Sequence, residues 1–322
     1  FADDIHYKGG CLLNENLGWG ATMWSYSSRA PDPALRPDWR EIWLDRLRAE
    51  PFLPATWLQH QSRDAYWTHG SVIESYDTIQ AKVLAIGGWG DAYKNAVPQL
   101  VDALPDAKGI IGPWVHKYPH FAVPEPRIGF LQEALRWWDR WLKDEDTGVE
   151  EDPDLRAYLM DGVRPATWYS ERPGRWTAQG KTDVAANVQM FLDTDQLSTT
   201  KPATAGHKVI ASPADCGAAA GEYCAIWLGP ELPGDQRSDD AKSACWTSAP
   251  LEHDLQILGA PKITVTLSSD QPQAQIAVRL NHVHPDGAST RITYGVLNLS
   301  HRDSAEHTTP LTPGTPTQIS FT

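Results

Sequence analysis

Lys82-Val83-Leu84-Ala85-Ile86-Gly87-Gly88-Trp89-Gly90-Asp91 and, further on, Gly109-Ile110-Ile111-Gly112-Pro113-Trp114-Val115-His116 decide the reading of this chain. Each stretch opens on a short apolar run without polar alternation, the pattern of a strand buried on both faces, and each run closes on glycine. Between them, Asn95 to Leu104 reads as a short helix. After them, Ile128, Leu131, Leu135, Trp138 and Leu142 fall at helical spacing and predict an amphipathic helix over about 125–143. Strand, helix, strand, helix is the order of a parallel sheet flanked by helices, so the fold class is α/β.

In such sheets, ligands bind beyond the carboxyl ends of the strands. Asp91 and His116 both stand there. Alone, Asp91 reads equally well as a turn residue satisfying backbone N–H groups, and a lone loop histidine is ordinarily structural. Together they have the relation a catalytic triad needs. The carboxylate accepts from one ring nitrogen and fixes the tautomer, and the other nitrogen serves a nucleophile. Aspartate before histidine also fits the α/β-hydrolase chain order, in which the serine comes first. That serine is not found. No G-x-S-x-G pentapeptide occurs in the 322 residues. Gly70-Ser71 follows no convincing strand, and Ser25, Ser27 and Ser28 sit in an aromatic stretch. His116 and His120 are spaced for a metal on a helix, but Pro119 lies between them and no Glu follows His116. Neither a metal site nor a cofactor is expected.

Upstream, residues 1–36 read as loop-rich and aromatic. Trp39, Ile42, Trp43, Leu44 and Leu47 predict a helix over about 37–50, ended by Pro51 and Pro54, and a second helical piece spans about 55–63. Downstream, Asp144-Glu145-Asp146 and Glu150-Glu151-Asp152-Pro153 form an acidic boundary placed near residue 152. Beyond it the period changes to two: Ile263 to Leu267, Gln275 to Leu280 and Arg291 to Leu299 read as strands of a β-sandwich.

Net charge is −13 with no Lys/Arg cluster, which argues against nucleic-acid and anionic-membrane partners. No apolar run reaches the ~20 residues of a spanning helix. Cys11, Cys216, Cys224 and Cys245 form no C-x-x-C pair. They read as thiols, with a Cys216–Cys224 disulfide as the sharper alternative.

At these residues the chain resembles the CocE/NonD hydrolases, the family of cocaine esterase, glutaryl-cephalosporin acylase, α-amino-acid ester hydrolase and, more distantly, X-prolyl dipeptidyl aminopeptidase. The stretches that resemble family signatures, in order, are Asp3 to Gly10, Arg63 to Trp67, Gly88 to Asp91, Gly112 to His116, Leu232 to Asp240, Pro285 to Gly287 and Gly295 to Leu299. The resemblance implies a partial α/β-hydrolase domain over 1–152, with a helical cap at about 30–80, followed by a jelly-roll β-sandwich over 153–322. It also implies a larger parent, whose oxyanion-hole tyrosine and nucleophilic serine would lie before Phe1 and whose jelly roll would run on past Thr322.

By the same resemblance Tyr93 is an aromatic wall of the acyl pocket, with Trp89, Trp114 and Tyr66 as further pocket candidates. The amino-acid ester hydrolases carry carboxylates two and three positions after the catalytic aspartate. Here those positions are Tyr93 and Lys94, which disfavours an α-amino acyl substrate even if Asp3 or Asp4 stands in for another carboxylate of that cluster. The expected activity is serine hydrolysis of a small-molecule ester or amide through an acyl-enzyme, with the chain by itself inactive for want of the serine. The rival is a non-catalytic carbohydrate- or protein-binding protein built on the jelly roll, which would need no Asp/His pair. Oligomeric state, a homo-oligomer included, and compartment stay open.

Overall fold

The computed structural model describes residues 2–181, 183, 187–204, 206–226 and 229–322. The chain divides into two units: residues 1–75 with 261–278 and 294–322, and residues 76–260 with 279–293.

In the first unit, a hairpin of β1 (Tyr7–Lys8) and β2 (Cys11–Leu12) turns through Gly9 and Gly10. Both glycines have positive φ, a conformation that favours a residue without Cβ. Helices α1 (Glu15–Ser27), α2 (Trp39–Ala49), α3 (Leu53–Gln59) and α4 (Ala65–Gly70) follow. Their core is aromatic. Tyr7, Trp57 and Trp67 are buried together, and the His6 ring stacks on Trp57 with centroids 4.4 Å apart. Helix α4 starts where the Asp64 side chain accepts from the Tyr66 N–H.

The second unit holds the sheet. Strands β3 (Leu84–Gly88) and β4 (Lys108–Gly112) pair in parallel, Leu84 opposite Lys108 and Gly88 opposite Gly112. Helix α5 (Ala96–Ala103) makes the crossover between them. Strand β5 (Leu155–Met160) joins β4 in parallel, and β6 (Gly174–Gln179) closes that side antiparallel. Ile110 and Ile111 are almost wholly buried, one on each face of β4. At about 1.5–3 kcal/mol for each such side chain, they explain why this strand reads as a continuous apolar run. The sheet thus continues past residue 152, because the 155–160 segment finds its hydrogen-bond partner in β4 rather than in the strands beyond residue 260.

Beyond β6 come the short hairpin β7 (Phe191–Asp193) and β8 (Gln196–Ser198), then the four-residue helix α7 (Arg237–Asp240). Strand β9 (Ile263–Leu267) pairs antiparallel with β12 (Thr317–Phe321) in the first unit, where Leu297, Leu299, Leu311 and Ile319 are buried together. Strands β10 (Gln275–Val283) and β11 (Ser289–Asn298) pair with each other. Among the described residues after 152, α7 is the only α-helix, in keeping with a strand-dominated region. No described helix is long and apolar enough to cross a membrane.

Helix α6 (Phe130–Lys143) departs from expectation in two ways. It begins five residues after Glu125, because Pro126 and Gly129 occupy its expected first turn. Its apolar stripe, Leu131, Leu135, Trp138 and Leu142, is exposed. The helix is held instead by Trp137, which is buried, and by its charged side. There Glu133 pairs with Arg156, Arg136 with Asp152, and Arg140 with Glu150. A contiguous exposed stripe of this kind promotes association without stabilising the chain. Replacing Leu131, Leu135 and Leu142 together by Gln, a good helix former, should change stability by no more than about 0.5 kcal/mol per site. Self-association in sedimentation velocity should fall. A drop in Tm of many degrees would show that this face is packed after all.

Candidate active site

The Gly88↔Gly112 register sets the ends of β3 and β4 side by side, so the loops that leave them run together. The Trp89 N–H donates to the Gly112 carbonyl and the Gly90 N–H to the Trp114 carbonyl, both at 2.9 Å. A Cβ on Gly88 would lie 2.1 Å from the Trp114 oxygen, so nothing larger than glycine fits there. Three residues past Gly88 stands Asp91, and four past Gly112 stands His116. His116 Nδ1–H donates to Asp91 Oδ2 at 2.9 Å. The other carboxylate oxygen, Oδ1, accepts the Tyr93 N–H at 2.9 Å. Asp91 is thereby oriented from two sides, and its side chain is only 12% exposed while that of His116 is 51% exposed. The hydrogen bond to Asp91 raises the His116 pKa above the ordinary histidine value. Partial burial pulls it down, the Asp91 charge adds to the rise, and Lys117 opposes it.

The other sequence candidates fall in different places. Tyr93 is exposed, and its ring centroid lies 5.9 Å from that of His116. Trp114 is 1% exposed and its indole N–H donates to the Pro126 carbonyl, so it supports the loop from below and presents no wall to a substrate. Trp89 is partly buried against Ala85, Val97, Ile111 and Ala157, with its indole N–H on the Tyr158 carbonyl. Tyr66 belongs to the first unit, where it stacks on His60. His120 stacks on Phe130. Three of the four serines set aside on sequence have backbone tasks. Ser71 Oγ donates to the Trp67 carbonyl, Ser25 Oγ to Ala21 and Ser28 Oγ to Ser25.

One neighbour was not placed at this site from sequence. Cys224 stands beside the pair: its Sγ, an Asp91 oxygen and a His116 nitrogen all lie within 4.8 Å of one another. All four cysteines are thiols, so Cys216 and Cys224 are not bridged. The Cys224 loop is tied to the site by the His116 N–H, which donates to the Ala225 carbonyl at 2.9 Å. Its far side is fastened by two wholly buried side chains. Gln236 donates to the Ala219 and Gly234 carbonyls, and Asp239 accepts the Ala219 N–H. Sequence offered only a cysteine spacing, which does not tell which loop returns to the sheet.

The family model for the X-Pro dipeptidyl-peptidase C-terminal non-catalytic domain matches residues 147–322, and that for the X-Pro dipeptidyl-peptidase S15 family matches residues 1–118. The chain belongs to the CocE/NonD-type family of serine hydrolases. A protein named as a serine esterase of Mycobacterium bovis is 27% identical over 69% of the chain and 36% of its own length. Cocaine esterase of Rhodococcus is 23% identical over 80% of the chain and 48% of its own length. Xaa-Pro dipeptidyl-peptidase of Lacticaseibacillus rhamnosus is 27% identical over 67% of the chain and 26% of its own length.

Among solved structures, a CocE/NonD family hydrolase from Staphylococcus aureus superposes with a TM-score of 0.64 at 12% identity, covering 98% of this chain and 53% of that one. An α-amino acid ester hydrolase gives 0.64 at 18% identity, covering 85% of this chain and 50% of that one. These two support the fold: α/β-hydrolase-like with a sheet-rich C-terminal region. The chain spans about half, or less, of the length of these relatives.

The contact at Gly88 can be tested. In Gly88→Ala the added methyl must push the Trp89–Asp91 loop off the Trp114 carbonyl. Overpacking of this kind costs about 1–3 kcal/mol. Urea unfolding should show that loss, with the Asp91–His116 bond lengthened in the variant's structure. Unchanged stability would mean the two loops are not in close contact.

Proposed function

We propose that the chain is part of a serine hydrolase that cleaves ester or amide bonds through an acyl-enzyme. The observation that carries this reading is the 2.9 Å bond from His116 Nδ1 to Asp91 Oδ2, formed at the carboxyl ends of two adjacent parallel strands. With Nδ1–H held by the carboxylate, Nε2 is the atom that takes a proton from a nucleophile and returns it to the leaving group, while Asp91 stabilises the imidazolium. The nucleophile is a serine that these 322 residues do not present in an elbow, and the chain by itself therefore forms no acyl-enzyme. Tyr93 forms an aromatic wall beside His116. With Tyr93 and Lys94 in place of carboxylates, the acyl group carries no α-ammonium. In this reading α2 to α4 belong to the helical cap, and the strands beyond β6 belong to a jelly roll. Relatives named as esterases and a dipeptidyl-peptidase support hydrolysis over the binding-module alternative.

Joined to a family segment that carries the serine, the chain should hydrolyse p-nitrophenyl esters, and His116→Ala or Asp91→Asn should each lower kcat by ~10⁴-fold with folding intact. Alone, it should show no stoichiometric labelling by a fluorophosphonate. Near-normal hydrolysis by the His116→Ala protein would remove His116 from the chemistry. Labelling of one serine in the isolated chain would place the nucleophile within it.

A further inference from the structure

We propose that Asp91, His116 and Cys224 form a three-ligand site for a soft divalent cation of the zinc class. Among the described residues this is the cluster whose carboxylate oxygen, ring nitrogen and thiol sulfur converge, all within 4.8 Å of one another. Zinc bonds of ~2.0–2.3 Å in a tetrahedral arrangement put neighbouring ligand atoms roughly 3.3–3.8 Å apart, so the Asp91–His116 pair, hydrogen-bonded at 2.9 Å, must open by about half an ångström and Cys224 must close by up to about 1.5 Å. The donor set is the kind zinc prefers, a borderline nitrogen and a soft sulfur with one carboxylate. Three protein ligands also leave a fourth position for water. The half-exposed His116 side chain gives the ion a way in.

The scaffold is already built. Asp91 Oδ1 is held by the Tyr93 N–H, an outer-shell bond of the sort that aims a ligating carboxylate. The backbone bond from His116 to Ala225 ties the histidine loop to the loop that bears Cys224, and the buried Gln236 and Asp239 fasten that loop from behind. The ligands thus come from three loops locked to one another. A sequence search for metals would pair His116 with His120, whose ring is stacked on Phe130.

Binding releases one proton to solvent, that of the Cys224 thiol. The His116 ring gives a lone pair, and its remaining proton resides on the nitrogen that faces away from the ion. No covalent bond is otherwise made or broken. A metal-bound His116 cannot accept a proton from a nucleophile, so occupancy blocks hydrolysis reversibly. That consequence rests on the hydrolase reading above; binding of the ion does not.

The test is titration of the metal-free, reduced chain with Co²⁺, read by the thiolate-to-cobalt charge-transfer band in the near ultraviolet. One equivalent should bring up the band, and Zn²⁺ should chase it. Cys224→Ala should abolish the band. His116→Ala, checked for folding by circular dichroism, should weaken cobalt binding by at least the ~10–100-fold that loss of an outer-shell partner costs. Cys11→Ala, Cys216→Ala and Cys245→Ala should each keep the band. No band up to millimolar cobalt, or a band of full amplitude in Cys224→Ala, would overturn the site. Cobalt binding at Cys224 with no effect of Zn²⁺ on an active preparation would leave the metal site standing and count against the catalytic role of His116.

Discussion

The close approach of the two loops past β3 and β4 is the constraint on which the site depends. Parallel pairing of Gly88 with Gly112 brings both strands to an end at the same level, and two backbone hydrogen bonds continue the contact into the loops. Only glycine at position 88 permits it. From that point the backbone delivers Asp91 and His116 to bonding distance without long side chains having to reach. A short, doubly anchored carboxylate loses little freedom when it holds the histidine, which is why such a pair can be preorganised in the absence of substrate.

Much of this was legible in the residues. Continuous apolar runs ending in glycine marked β3 and β4, since a strand buried on both faces cannot alternate. The positions of Asp91 and His116 after adjacent strands then followed. Helix α2 came from its apolar spacing, and β9 and β10 from alternation. Helix α1 did not, because its Leu17, Trp19, Trp24 and Tyr26 are exposed and Gly18 and Gly20 interrupt it, so no single stripe declares its period. Helix α6 had a clear stripe that faces outward; ion pairs across its other side fix its orientation, and pattern alone carries no information about which face is covered.

The region after residue 152 shows where local pattern and tertiary structure part. The segment 155–160 lies past the boundary expected near residue 152, yet it joins β4 in the parallel sheet. The Leu232 to Asp240 stretch, which resembles a family signature, contains Gln236 and Asp239, both without solvent exposure. Arg279 pairs with Asp240 and donates to Gln236, and this cluster anchors the loop that carries Cys224. Burying charge is costly unless it is paired and hydrogen-bonded, so residues that look like a polar surface turn in sequence are here a fastening point. Sequence reading places such residues at the surface by default, and Cys224 is hidden from it for the same reason.

The central claim is that Asp91 holds the Nδ1–H tautomer of His116. Nitrogen-15 NMR of the imidazole ring in metal-free protein, followed across pH, tests it most directly. Because the Asp91 hydrogen bond favours the charged ring, the His116 midpoint should lie above the ordinary histidine value of ~6.5, with Nδ1 the protonated nitrogen on the alkaline side, and Asp91→Asn should lower that midpoint. A midpoint at or below ~6.5 that does not respond to Asp91→Asn, or an Nε2–H tautomer in the neutral ring, would contradict the account.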